Sequence, residues 1–314
     1  MKKRYTAVFA AALALALTLS GCGGNASGGS DNSNASGGSA NASGSGQASS
    51  SGEGSGAASG KTVYRTLDEI KESGSINIGV FSDKNPFGYV DENGDYQGYD
   101  IYFAEQIGKD LGVKINYVST EAANRVEYLE TGKVDIILAN FTVTEKRAEQ
   151  VDFALPYMNV ALGVVSPDSR VITDLSELGD GDQVIVISGT TAETYLIENN
   201  PEVKLQKYDS YATAKNALEN GNGVAWANDN TEVIAFAMQN EGYTVGIPTL
   251  GSQDTIAPAV SKGNESLLSW INDEIVALGE ENFFHAAYEA TLMDTYGPDF
   301  EETLVVEGGK VTQE

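Results

Sequence analysis

Short apolar runs rich in β-branched residues alternate with segments of helical periodicity along most of this chain. The first run predicts a strand over 75–81, and a helix is predicted over 100–111, ending at Gly112. Further strands are predicted over 113–118, 134–139, 160–165, 183–188, 203–206, 223–227 and 243–247, and further helices over 123–131, 210–219 and 231–239, with others after Thr144 and Thr191. Strands that alternate with helices are typical of parallel sheets covered by helices on both faces, so we predict an α/β fold.

The alternation falls into two runs of similar size, which predicts two lobes. The runs meet near 165–167 and again near 252–255, where we expect two strands to cross between the lobes. Lobe 1 is then 61–165 together with 255–314, and lobe 2 is 166–254. Open α/β sheets bind ligands at the carboxyl ends of their strands, so the cleft between the lobes is the expected binding site.

The N-terminus has the pattern of an export signal. Three basic residues, Lys2 to Arg4, precede an apolar run over 7–19 that is too short for a comfortable membrane span. The run ends in Leu19-Ser20-Gly21-Cys22, which resembles a bacterial lipobox. We therefore predict a signal peptide over 1–21 and a lipidated Cys22 that anchors the protein outside the cytoplasm. The alternative is a transmembrane helix with an incidental cysteine.

The segment after Cys22 has the composition of a flexible tether. From Gly23 to Gly60 it consists almost wholly of Gly, Ser, Ala and Asn, which cannot bury enough apolar surface to fold. We expect 22–60 to hold the folded part away from the membrane, so that the lipid anchor is its sole membrane contact. Cys22 is also the single cysteine, so the chain can form no internal disulfide.

Charge and composition exclude several classes of function. The chain has 45 acidic and 19 basic residues, a formal net charge of −26, which makes nucleic acid a poor partner. The single histidine, His285, lies between Phe284 and Ala286, and the sequence has no nucleophile elbow and no phosphate loop of the Walker type. Metal ligands do not cluster along the chain. We therefore expect no enzyme activity, no cofactor and no metal.

One predicted strand end carries groups that suit a carboxylate. Arg147 follows the 134–139 strand, and its planar guanidinium can bind a carboxylate through charge-assisted hydrogen bonds. Thr142 and the backbone beside it can donate to the same group. The alternative is that Arg147 is a solvated charge on the surface of a helix.

Two further strand ends add complementary groups. Ser188-Gly189-Thr190-Thr191 closes a strand and opens a helix, where unpaired N–H groups favour an anion, although Thr191 could simply cap its own helix. Asp229 follows the 223–227 strand and can bind an ammonium or cap the next helix. Taken together, an Arg, a helix start with hydroxyls and an Asp match the two charges of a zwitterion.

Several ordered motifs stand along the chain: Ile78-Gly79-Val80, Pro86-Phe87-Gly88-Tyr89, Gln97-Gly98-Tyr99-Asp100-Ile101, Gly132-Lys133-Val134-Asp135-Ile136-Ile137, Thr144-Glu145-Lys146-Arg147, Val151-Asp152-Phe153, Pro156-Tyr157 and Gly189-Thr190-Thr191. They closely resemble the motifs of family 3 solute-binding proteins of polar amino-acid ABC transporters, from about Thr66 to Pro298. The resemblance implies a periplasmic-binding-protein-like fold of type II, with two α/β lobes joined by two crossing strands and the ligand in the cleft.

The resemblance also implies roles for individual residues. Arg147, Thr142 and Thr191, with the adjoining Gly189 and Thr190, would hold the α-carboxylate of an amino acid. Asp229 would hold the α-ammonium, with Asn140 contributing its backbone or amide. Phe87 would wall the side-chain pocket, and Tyr211 and Asn228 are further candidate contacts.

The ligand within the family is suggested by four stretches, which look most like the cysteine-binding branch. They are 121–129, 139–142, 158–163 and 282–288. Ala122 stands where other members place a larger apolar wall, which suits a small ligand such as cysteine. Arg125 complicates this interpretation, because relatives that select aspartate or glutamate use an arginine here. Cysteine is therefore the first choice, and acidic amino acids, other small polar amino acids and cystine remain alternatives.

Because the sequence has no phosphate loop of the Walker type, we expect the ATPase and the permease to be separate chains, which this receptor would serve as a monomer. Two rival classes remain. Some proteins of this fold are dehydratase-like enzymes, and others are sensory receptor domains. The sequence lacks a second membrane segment and a cytoplasmic module, which disfavours the sensory alternative.

Overall fold

A computed structural model of the protein describes residues 63–311. The predicted signal peptide, the predicted lipidation site Cys22 and the predicted tether therefore lie outside the described residues. Thirteen strands and eleven α-helices follow one another over the described part of the chain. No helix between Val63 and Val311 combines the length and the apolar character that crossing a bilayer requires.

The strands are β1 Ser75–Val80, β2 Asp83–Lys84, β3 Gly88–Val90, β4 Tyr96–Gln97, β5 Lys114–Ser119, β6 Ile136–Ile137, β7 Val151–Phe153, β8 Met158–Pro167, β9 Gln183–Ile187, β10 Lys204–Tyr208, β11 Ala225–Asp229, β12 Tyr243–Ile256 and β13 Ala259–Ser261. The helices are α1 Leu67–Ser73, α2 Tyr99–Leu111, α3 Arg125–Glu130, α4 Glu145–Ala148, α5 Thr191–Asn199, α6 Tyr211–Glu219, α7 Asn230–Gln239, α8 Glu265–Glu280, α9 Phe283–Thr291, α10 Met293–Tyr296 and α11 Glu301–Leu304.

The strands form two five-stranded sheets, which confirms the predicted α/β class. The first sheet has the order β5-β1-β6-β13-β7, and the second has the order β10-β9-β11-β8-β12. Parallel pairs join β1 to β5 and β6, and join β9 to β10 and β11. The expectation of parallel sheets is wrong for β13 and β8, which pair antiparallel with their neighbours. A small sheet of β2, β3 and β4 lies apart from both.

Strand β8 is longer than the strand that the sequence predicts over 160–165. Its ten residues are buried up to Ser166, and it pairs with β11 and β12 of the second sheet. The predicted lobe boundary at Val165 would assign most of this strand to lobe 1. Residues 162–165 pair antiparallel with β11 of the second sheet, whereas 158–160 pair with 254–256 of β12, the other segment predicted to cross between the lobes. The division of the chain into lobes otherwise stays a prediction.

Buried apolar residues connect the sheets to their helices and to each other. One cluster joins the first sheet to α2, α8 and α9, with Ile78, Ile107 and Ile271 each fully buried. A second cluster contains residues of both sheets, among them Ile137 of β6 and Ile185 of β9. Burying one such side chain contributes about 1.5 to 3 kcal/mol. The strand ends at the junction of the sheets are therefore fixed in position by the packed apolar clusters.

Candidate ligand-binding site

The carboxyl ends of β6, β9 and β11 meet at the junction of the two sheets. The chain after β6 carries Asn140 and Thr142, the chain after β9 carries Gly189 to Thr191, and β11 ends at Asp229. Arg147 joins two of these strand ends, because its Nη1 donates to the carbonyl of Thr142 at 2.7 Å and its Nη2 donates to that of Gly189 at 2.9 Å. The predicted residues are thus brought together around one cleft.

Arg147 is placed by a short helix that starts beside the cleft. The hydroxyl of Thr144 caps α4 by accepting from the backbone N–H of Arg147 at 3.2 Å. The guanidinium carbon lies 4.8 Å from the ring centroid of Phe141. Burial, followed by repulsion from the Arg125 cation, lowers the pKa of Arg147 to about 9. Arg147 is therefore a half-buried cation that lines the cleft, and not a fully solvated helix charge.

Gly189 makes the close approach of the two sides possible. Its φ is +80°, in the left-handed region that favours glycine. A Cβ at this position would lie 2.5 Å from the Cα of Ala123, on the side of the first sheet. Its carbonyl accepts hydrogen bonds from Arg147 and, at 3.3 Å, from Nη2 of Arg125.

The helix start beside Gly189 separates the roles of two threonines. Thr190 is the cap of α5: its hydroxyl accepts from the N–H of Glu193 at 3.3 Å and donates to the carbonyl of Ile187 at 2.7 Å. Thr191 is the first residue of the helix and lines the cavity described below. The capping alternative raised for Thr191 therefore applies to Thr190, and Thr191 is left to line the cavity.

Arg125 uses its donors on backbone carbonyls. Its Nε donates to Ala122 at 3.0 Å, and its Nη1 donates to Ala139 and Asn140, both at 3.1 Å. With the bond to Gly189, these contacts tie together the chain after β6, the turn before α3 and the opposite side of the cleft. The guanidinium lies over the rings of Phe141 and Phe81. In this arrangement Arg125 positions the walls of the site.

A lysine that the sequence reading missed lies at the centre of the site. Lys84 of β2 is fully buried, and its Nζ donates to Asp229 Oδ2 at 2.6 Å and to Asn140 Oδ1. The ammonium also lies 4.9 Å from the ring centroid of Tyr211 and 5.4 Å from that of Phe87. Burial is the largest single effect and lowers the pKa of Lys84, but Asp229, Tyr211 and Glu232 together raise it by more, so the net effect raises the pKa. The ammonium stays charged.

Asp229 points into the site and does not cap its helix. It stands at the cap position of α7, yet its side chain makes no capping hydrogen bond, and only 5% of the residue is exposed. Its backbone N–H donates to Asn228 Oδ1 at 2.8 Å. Asn228 is thus placed behind Asp229, and its amide Nδ2 is buried without a hydrogen-bond partner among the described residues. Of the two roles predicted for Asp229, the one that fits this geometry is binding of an ammonium group, and its partner in this structure is the ammonium of Lys84.

Asn140 is held from below by a second carboxyl that the sequence reading did not single out. Asn140 has a φ of +44°, and its N–H donates to Asp100 Oδ2 at 2.8 Å. The hydroxyl of Tyr157 donates to Asp100 Oδ1 at 2.6 Å. Burial raises the pKa of Asp100 to about 7, against the opposing hydrogen bonds from Tyr157 and Asn140. Asp100 and Tyr157 both lie in motifs that resemble those of the family, and this resemblance was the signal in the sequence that could have identified them.

A cavity of about 580 Å³ opens on the Arg147 side of this arrangement. Ala122, Phe141 and Arg147 line it from the first sheet's side, and Gly189 and Thr191 line it from the second. The remaining candidates lie deeper. Phe87 is fully buried beside Tyr296, and Tyr211 packs edge-on against Phe81 with the ring centroids 5.1 Å apart. Between Val63 and Val311, no group of three or more His, Cys, Asp or Glu side chains is placed to hold a metal ion.

Several known proteins are similar to this chain in sequence and fold. The family model of bacterial extracellular solute-binding proteins, family 3, matches residues 76–291. The solved structure of a solute receptor for L-cysteine of Neisseria gonorrhoeae is 51% identical, with a TM-score of 0.76 over 77% of this chain and 100% of that chain. The cysteine-binding protein from Campylobacter jejuni is 48% identical, with a TM-score of 0.75 over 77% of this chain and 98% of that chain.

A relative from another branch is also similar. The ABC transporter glutamine-binding protein GlnH of Bacillus subtilis (strain 168) is 29% identical over 237 residues, which are 74% of this chain and 86% of that protein. The solved structures confirm the predicted fold of type II, and the family match confirms the resemblance inferred from the motifs.

Proposed function

This chain belongs to family 3 of the bacterial extracellular solute-binding proteins, and from that premise we propose that it captures one amino acid, cysteine, and delivers it to an ABC importer. The likeness to two receptors for cysteine, at 51% and 48% identity, supports this choice of ligand. Capture would proceed by closure of the cleft, which the ligand favours because it binds the closed state better than the open one.

The observation that carries the proposal is the pair of opposite charges that the two sheets bring to one cleft. Arg147 comes from the chain after β6, and Asp229 comes from the end of β11. Asp229 is buried and Arg147 is half-buried, and each already reaches across to the other side, Arg147 to the Gly189 carbonyl and Asp229 to Lys84. A zwitterion satisfies both groups at once, since its carboxylate suits the guanidinium and its ammonium suits the carboxylate.

The engagement of Arg125 favours cysteine over aspartate or glutamate. A side-chain carboxylate would need a guanidinium with free donors, whereas Arg125 is hydrogen-bonded to the carbonyls of Ala122, Ala139, Asn140 and Gly189. Ala122 is 5% exposed and lines the cavity, so it leaves room without offering a polar contact. A small ligand fits this wall.

The test is calorimetric titration of the protein with reduced cysteine, cystine, glutamine, aspartate, glutamate and serine. We expect saturable binding of reduced cysteine, at least tenfold tighter than that of each other ligand. Tighter binding of glutamate or aspartate would overturn the choice of cysteine, and no binding of any amino acid would overturn the function.

We further propose that Cys22 carries a lipid that anchors the protein at the outer face of the cell membrane, as a monomer that meets the permease and ATPase subunits from outside. The extracellular setting of the family supports this location. In cells of the source organism, Cys22→Ser should move the protein from the membrane fraction to the soluble fraction. Retention of the variant in the membrane would contradict the anchor.

We also infer that the chain is a receptor and not an enzyme. The three similar proteins reported above are all named as binding proteins or receptors, which supports the inference. Incubation of the protein with bound cysteine should return the amino acid unchanged, by mass. Conversion of the ligand to another product would contradict it.

A further inference from the structure

The site gathers several charged side chains in a small volume. Three cations, Lys84, Arg125 and Arg147, lie around it together with two carboxyl groups, Asp229 and Asp100. Two further carboxyl groups lie next to these: Asp254 lines the cavity beside Arg147, and the buried Glu232 pairs with Lys215. A buried charge is costly unless a counter-charge and hydrogen bonds compensate it.

The two guanidinium groups are engaged by neutral partners. Arg125 and Arg147 donate to backbone carbonyls, which satisfy their hydrogen bonds but do not cancel their charge. Among the three cations, Lys84 alone has a carboxylate as its hydrogen-bond partner, namely Asp229. A ligand ammonium that binds Asp229 would therefore share the counter-charge of Lys84.

The position of Lys84 determines which part of a ligand it meets. The inference rests on the proposed function, in which Asp229 binds the α-ammonium. Lys84 Nζ lies 2.6 Å from the same carboxylate, so the two ammonium groups would be neighbours and would repel each other. In cysteine, the α-nitrogen and the sulfur are joined through just the α and β carbons. A cation beside the α-nitrogen is therefore also near the sulfur.

We propose that this site binds cysteine as its thiolate, with the Lys84 ammonium as the counter-ion of the sulfur, so that Lys84 is a specificity-determining residue. The thiol proton passes to the solvent when the ligand binds. The thiolate relieves the repulsion between the two ammonium groups. Serine has the same shape, but its hydroxyl does not ionise in this pH range, so it does not relieve this repulsion.

The groups around Lys84 are compatible with this role. Asp229, Tyr211 and Glu232 all raise the pKa of the lysine. Burial, the first cause, raises the pKa of Tyr211, which keeps its phenol neutral. Asp100, with a pKa raised by burial to about 7, contacts Asn140 and Tyr157 and titrates beside the site. A measurement of proton release must therefore separate the ligand's thiol from Asp100.

The test compares proton release for cysteine and serine. Titration calorimetry of the protein at pH 7 in buffers of different ionisation enthalpy gives the number of protons released on binding. Free cysteine is almost wholly protonated at this pH, because a thiol has a pKa of about 8.5. We expect about one more proton released for cysteine than for serine, since any contribution from Asp100 is shared by both ligands.

Lysine variants sharpen the comparison. Lys84→Met should abolish the additional proton release and reduce the preference for cysteine over serine by at least tenfold. Lys84→Arg should retain the release. Lys262→Met, at a surface lysine paired with Asp152, is the matched control and should leave both quantities unchanged. The wild-type proton count needs no variant, so the proposal can be tested even where a variant does not fold.

The outcomes distinguish this proposal from the proposed function. Failure of cysteine to bind at all would overturn both. Cysteine that binds with the same proton count as serine would overturn the thiolate alone and leave the receptor function intact. An equal change in affinity for cysteine and serine in Lys84→Met, with the proton count unchanged, would show that Lys84 competes with every ligand for Asp229 and would also overturn the proposal.

Discussion

The two ends of the binding site are built on different principles. At the carboxylate end, Arg147 is held by backbone carbonyls and faces a cavity, so a ligand can reach it. At the ammonium end, Asp229 is paired with the fully buried ammonium of Lys84, inside a cage that includes Phe87 and Tyr211. The difference teaches that one end is open and preorganised, whereas the other must exchange an internal ion pair for the ligand.

The largest effect is expected at the ammonium end. Asp229→Asn removes the partner of both Lys84 and the ligand ammonium, so affinity for cysteine should fall by more than about 100-fold, since removing one member of a buried ion pair costs about 3 to 5 kcal/mol. Asp152→Asn, in the exposed pair with Lys262, is the control and should change affinity little. Calorimetric affinity within threefold of the wild type for Asp229→Asn would show that the ammonium lies elsewhere.

The carboxylate end should give the next largest effect. Arg147→Ala leaves the ligand carboxylate without its charged donor and should weaken binding by about 30-fold, corresponding to about 2 kcal/mol. Arg170→Ala, at an exposed arginine that pairs with Asp182 and does not line the cavity, is the control and should bind as the wild type does. Both affinities can be measured by calorimetry, and equal values for the two variants would remove Arg147 from the site.

The contact between the two sides can be loosened without touching either charge. A methyl group in Gly189→Ala would meet the backbone of Ala123, so closure should be impaired and affinity should fall by about tenfold, an overpacking cost of about 1 to 3 kcal/mol. Gly221→Ala has a similar φ of +70° and nothing within 4 Å of the new methyl, so it controls for backbone strain alone. Equal binding losses in the two variants, measured by calorimetry, would mean that the close approach at Gly189 does not matter.

The smallest effect on affinity is expected from Asp100, which supports Asn140 from outside the ligand's reach. Its pKa is raised by burial from 3.8 to about 7, so the folded protein retains a proton that the unfolded chain loses over this range. The stabilisation is therefore present at low pH and lost as the pH rises to about 7. In urea unfolding, the free energy of unfolding of Asp100→Asn should fall less steeply from pH 4 to pH 7 than that of the wild type. Parallel curves would contradict a raised pKa.

The carboxylate end could be predicted from the sequence, because its residues follow regular strands. The chains that follow β6 and β9 meet at Arg147, and the type of residue after each strand indicates the chemistry. Which threonine caps α5 could not be predicted, since Thr190 and Thr191 are adjacent and alike, and only the backbone geometry separates them.

The ammonium end could be predicted only in part. Lys84 is the second residue of the two-residue strand β2. Its neighbours in sequence are Asp83 and Asn85, and this polar stretch has no periodicity that would indicate burial. Its partner Asp229 is distant in sequence, and the pair forms only across the assembled cleft.

Strand β12 was predicted only to residue 247. The mostly polar residues over 249–254 continue the strand because they lie along the edge of the second sheet.

The central claim is that one zwitterion joins the guanidinium of Arg147 to the carboxylate of Asp229. A crystal structure of the protein with reduced cysteine tests it most directly. The account predicts the ligand carboxylate within hydrogen-bond distance of Arg147, the ligand ammonium on Asp229 and the Lys84 ammonium beside the sulfur. A bound cysteine that contacts neither Arg147 nor Asp229 would contradict the account.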